Sequence, residues 1–114
     1  GVDVERRPSP EESLYATVAL AELGYGGDTG PVLESLCRRF GPWLDRWRQE
    51  GFAPIRAGWL GRARGLGEAA VVRLEAETLT GVFAGLDEEG GMLLDQGDNG
   101  IRRVLAGDVF FPGL

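Results

Sequence analysis

The period of the hydrophobic pattern changes at Ala69, and that change limits the fold more than any other feature of the chain. Upstream, Leu33, Leu36, Phe40, Trp43, Leu44 and Trp47 recur every three or four positions, the spacing of one face of an α-helix. Downstream, "AVVRLEAETLTGVFAGLD" follows period two, as in a strand with one buried face. Two runs in it, Val71 to Glu75 and Leu79 to Leu86, are joined by a tight turn near Ala76-Glu77. "DEEGG", "QGDNG" and Ala106-Gly107 then separate the runs "MLLD", "IRRVL" and "DVFF". Glycine, 19 of 114 residues, supplies the turns that short strands need.

Five short strands so closely spaced predict a small closed barrel of the SH3-like kind. The fold class is α+β, with a helical segment over residues 1–66 and the barrel over residues 67–114. Within the first segment "GVDVERR" alternates like a strand end, and Ser9-Pro10-Glu11-Glu12 has the form of a capping box opening a helix that Gly24 stops. A second helix is capped by Asp28, Thr29 or Gly30, has Pro31 in its first turn and ends at Gly51. Pro42 removes one backbone hydrogen bond from its middle and should kink it. Pro54 opens a third, short helix carrying Ile55, Trp59 and Leu60, with Gly65 at its end. Cys37 falls on the apolar face of the second helix and is expected to be buried.

"GLGEAA" at residues 65–70 spells the G-x-G-x-x-A of a dinucleotide-binding loop. That loop works only between a strand and a helix, because the helix N-terminus offers its free N–H groups to the pyrophosphate. Here the order is helix first and strand second, so the glycines turn the chain between segments and bind no dinucleotide.

Charge and residue inventory exclude several classes of function. The net charge of −6 opposes a sequence-independent grip on nucleic acid or on an anionic membrane. All 12 basic residues are arginine, with no lysine and no histidine. These 114 residues therefore hold no Schiff-base lysine, histidine base, Ser-His-Asp triad or histidine metal site. A single cysteine forms no internal disulfide. No run reaches the roughly eighteen apolar residues of a membrane span, and the N-terminus shows no signal-peptide core. "DEEGG" and "DQGDNG" lack the twelve-residue spacing and terminal glutamate of a calcium loop. The start at Gly1, without methionine, is what a piece of a longer protein would show.

The stretch from Arg38 to Phe111, "RRFGPWLDRWRQEGFAPIRAGWLGRARGLGEAAVVRLEAETLTGVFAGLDEEGGMLLDQGDNGIRRVLAGDVFF", resembles the C-terminal part of biotin–protein ligases (biotin–acetyl-CoA-carboxylase ligases). The resemblance rests on the order of Trp43, Trp47, Gly51, Phe52, Trp59, Leu66, Gly67, Gly81, Gly85, Leu86, Asp87, Gly90 or Gly91, Leu93, Leu94, Gly107, Asp108 and Val109. "ATVALAELG" is similar to the segment that follows the last core strand in that family. Each residue also has a purely structural reading: Gly81 and Gly85 as bulges or points of curvature, "GLDEEGG" as a turn, the tryptophans as seals between helices and core.

The resemblance implies a cytoplasmic enzyme that makes biotinyl-5′-AMP from biotin and ATP and passes biotin to a lysine of a carrier protein. The family's Gly-Arg-Gly loop and core lysine have no counterpart in these residues, so this chain should be inactive alone and hold no cofactor itself. ATP and biotin belong to the intact ligase. Implied partners are the ligase catalytic core and a biotin carboxyl carrier domain, and an uncovered tryptophan face would favour a homodimer. The family arginine just beyond the Gly-(Asp/Glu)-Val turn is replaced here by Phe110-Phe111-Pro112. Arg102 and Arg103 are then the nearest candidates for a phosphate, and strand alternation sends them to opposite faces. The alternative, a non-enzymatic SH3-like interaction module, needs an exposed aromatic groove. The barrel segment offers it only Phe83, Phe110 and Phe111.

Overall fold

The computed structural model describes residues 2–9, 11–13 and 16–113. They fall into two compact units, Gly1–Leu44 and Asp45–Leu114.

In the first unit Leu20 and Ala21 donate their N–H groups to the carbonyls of Asp3 and Val4, both at 2.9 Å. This crossing buries Val4 and Ala19. The expected first helix does not form. The Ser9 N–H and hydroxyl do donate to Glu12 Oε2, both at 2.9 Å, but only a turn follows at residues 11–12. Part of that expected helix, at residues 10, 14 and 15, lies outside the described residues. Farther on the chain makes a four-residue 3-10 turn, Leu20–Leu23, which Gly24 closes in the left-handed region at φ 91°. Val18 and Thr17, β-branched and disfavoured in helices, lie in no helix. The strand end expected over residues 1–7 is likewise absent from residues 2–7.

Helix α1 spans Thr29–Glu50. Asp28 Oδ1 accepts the Gly30 N–H at 2.9 Å, covering one of the donors a helix start leaves open. Gly51 ends the helix at φ 77°. The helix continues through Pro42 without a break. It contains no buried residue, so Cys37 is exposed, contrary to expectation; an apolar helix face buries a cysteine only where something packs on it.

The second unit carries helix α2, Ala53–Leu60, with Pro54 in its first turn. It ends at Gly61, four residues before the expected Gly65. Five strands follow: β1 Ala69–Arg73, β2 Thr78–Leu86, β3 Met92–Asp95, β4 Ile101–Val104 and β5 Asp108–Phe110. They form one antiparallel sheet in the order β4-β3-β2-β1-β5. Alternation along β1 and β2 turns Ala70, Val72, Leu79 and Phe83 inward, where they meet Leu94 and Val104 as a single core. Between Phe83 and Gly85 the β2–β3 register slips by one residue. Gly85, at φ 137°, takes the strained geometry of that bulge.

The expected closed barrel is corrected to an open sheet: among the described residues the edge strands β4 and β5 each pair on one side only. No fifth ladder joins these two strands, of four and three residues, among the described residues. The sheet must nonetheless curl. Flat, its outer strands would stand about 19 Å apart at the usual strand spacing. Four backbone steps from Val104 to Asp108 reach at most about 15 Å.

Candidate functional site

The glycine loop is a corner of the backbone. Gly65 and Gly67 sit at φ 82° and 83°, between α2 and β1. The Gly67 N–H donates to the Phe83 carbonyl at 2.9 Å and the Glu68 N–H to the Gly65 carbonyl at 3.0 Å. Donors that a pyrophosphate would need are thus consumed, Gly67's in tying the loop to β2 and Glu68's in closing the loop on itself.

Arg102 and Arg103, adjacent on β4, are not brought together. Arg102 Nη2 donates to Glu77 Oε1 at 2.9 Å, in the β1–β2 turn. Arg103 reaches the β2–β3 turn, where its Nε bonds Asp87 Oδ2 and its Nη2 bonds Glu89 Oε2 at 2.5 Å. A guanidinium has five N–H donors, so each arginine retains some for a ligand oxygen. Arg102 is paired with the carboxylate of Glu77, which competes with an incoming anion, and Arg103 with those of Asp87 and Glu89.

Asp87 organises the β2–β3 turn. Its Oδ1 accepts the N–H groups of Glu89 at 2.9 Å and Gly91 at 2.7 Å. Its own N–H donates to the Gly91 carbonyl at 2.8 Å. Desolvation pushes the carboxyl's pKa upward, but the bond from Arg103 and the two backbone donors outweigh it and hold it below the ordinary value. The same carboxylates, Asp87 first and then Glu89, raise the pKa of Arg103. The motif signal for Asp87 was visible in the sequence; its partner 16 residues on was not.

Sequence reasoning also missed Arg73, Glu75 and Asp108 as neighbours. With Leu74, Ala106 and Gly107 they line an open groove of about 640 Å³. Arg73 lies over the Phe110 ring at 4.6 Å. Among the described residues no three His, Cys, Asp or Glu side chains are grouped to hold a metal. No described helix is long and apolar enough to cross a membrane.

Fold and site define a small helix-and-sheet region whose charged side chains Asp87, Arg102 and Arg103 bond to and between its turns. Residues 61–111 match the biotin protein ligase C terminal domain. Over 99% of its length the chain is 37% identical to a biotin–[acetyl-CoA-carboxylase] ligase of Paracoccus denitrificans, covering 49% of that protein. It is 28% identical to the bifunctional ligase/repressor BirA of Bacillus subtilis, covering 34% of it. The biotin protein ligase of Aquifex aeolicus, solved without ligand and in complex with biotin and ATP, superposes with a TM-score of 0.81 at 26% identity. There 96% of this chain covers 50% and 47% of the two solved chains. The chain is similar to a C-terminal region of biotin protein ligases, and spans half or less of the length of these relatives.

Proposed function

We propose that this chain is the accessory C-terminal part of a biotin protein ligase, supporting ATP and acceptor-protein binding while biotin is attached to a carrier lysine. The observation that carries the reading is the match to the Paracoccus denitrificans ligase over nearly all of this chain and only half of that enzyme. Biotin activation and transfer then fall to residues outside these 114, consistent with a chain that has no lysine or histidine. The catalytic core and a biotin carrier domain are its partners, and its place is the cytoplasm.

The apolar stripe of α1 supports a docking role. Leu33, Leu36, Phe40 and Trp47 are 53–61% exposed, more apolar surface on one helix than a chain keeps without use. The catalytic core is the proposed cover; in its absence the stripe pairs with a second copy. Arg102 and Arg103 are the proposed phosphate contacts, Arg102 being the less encumbered. The strand order and the short β4–β5 link support an incompletely closed SH3-like barrel. A peptide-reading module is less well supported, because Phe83 is buried in the core and the Phe110 ring lies under Arg73.

The test is direct. The purified chain, given biotin, ATP and an acceptor domain, should produce neither biotinyl-AMP nor biotinylated acceptor. It should also self-associate or bind an apolar dye. Turnover by the chain alone overturns the reading, and a monomer with low dye binding removes the argument from α1.

A further inference from the structure

Three residues at helical spacing on α2 and just before it, Phe52, Arg56 and Trp59, meet β2 and its turn in antiparallel order. Phe52 lies against Gly90, where an added Cβ would fall 3.1 Å from its Cζ. Arg56 donates both Nε (2.9 Å) and Nη2 (2.6 Å) to the carbonyl of Leu86. Trp59 stands edge-on to Phe83, with centroids 6.2 Å apart and planes at 75°. The Leu86 carbonyl is the last acceptor of β2 before the turn, and two donors of one half-buried guanidinium close on it. One residue later Asp87 gathers the turn's N–H groups and bonds Arg103 Nε.

We infer that Arg56 is a positioning residue for Arg103: it pins the end of β2 to α2, and through Asp87 that anchor fixes where the Arg103 guanidinium points. A forked donor suits this task, because two N–H bonds to one oxygen fix direction as well as distance. Lysine, a single rotatable ammonium, would hold the same carbonyl less rigidly. The inference goes beyond the functional reading, since the linkage stands whatever ligand Arg103 meets.

The experiment is NMR hydrogen exchange on the full 114-residue chain as wild type, R56A and R56K. In R56A the amides of Glu89, Gly90 and Gly91 and the Nε–H of Arg103 should all exchange roughly tenfold faster, the ratio expected for an ordinary lost hydrogen bond. The Val72 amide in β1 should be unchanged, and R56K should lie between. Unchanged rates at the turn and at Arg103 Nε would overturn the inference. So would an equal acceleration at Val72, which would make Arg56 a contributor to global stability only. If R56A does not fold, R56K against wild type decides on the same signals.

Discussion

The ring of Phe111, in the segment just after β5, fills the space into which a side chain on Gly65 would project. Gly67, two residues on at nearly the same φ, has nothing within 4 Å of that position. The pair separates two reasons for glycine that a sequence cannot tell apart, a left-handed backbone and a close approach.

G67A should therefore cost only the backbone strain, about 1–2 kcal/mol. G65A should cost that and in addition about 1–3 kcal/mol for displacing the Phe111 ring. Urea midpoints of the two variants measure the difference. Equal losses would mean that Phe111 moves aside freely.

Asp87 should make stability depend on acid pH. Its folded pKa lies below the unfolded one, so its stabilisation is present above the ordinary carboxylate value of about 4. It is lost as the pH falls through the folded value. D87N should be less stable than wild type at pH 7, and the gap should narrow toward pH 3. A gap of the same size at both pH values would show that the carboxylate charge contributes nothing.

Core and stripe should respond oppositely to truncation. Leu94 is fully buried among Val72, Leu79 and Phe83, so L94A should lose about 2–5 kcal/mol. L33A and F40A, on residues 61% and 60% exposed, should leave the chain, kept dilute enough not to pair with a second copy, within about 0.5 kcal/mol of wild type. The same two changes should weaken any association with a catalytic core. Calorimetry of the three variants checks the first part.

The sheet was legible because period two survives one solvated face: every strand lies within one or two residues of its sequence-based position. The bulge at Gly85 and the corner at Gly65-Gly67 were readable from glycines inside or beside strand patterns. Closure was not, since it depends on whether two edge strands of four and three residues overlap, and no alternation records that. The first helix failed where a sound local start, Ser9 with Glu12, met β-branched residues and tertiary bonds from Leu20 and Ala21 to Asp3 and Val4. Cys37 failed because periodicity marks an apolar face and says nothing of what covers it. At the candidate site the residue types were readable and their partners were not: Arg102 with Glu77 and Arg103 with Asp87 are 25 and 16 positions apart.

Complementation tests the central claim most directly. The Paracoccus denitrificans ligase, truncated to remove the segment that aligns with this chain, is assayed for biotin transfer with and without the chain added separately. The account predicts a rate that rises with added chain and saturates, with no product from the chain alone. A rate indifferent to the chain at any concentration, or biotin transfer by the chain without the enzyme, would contradict it.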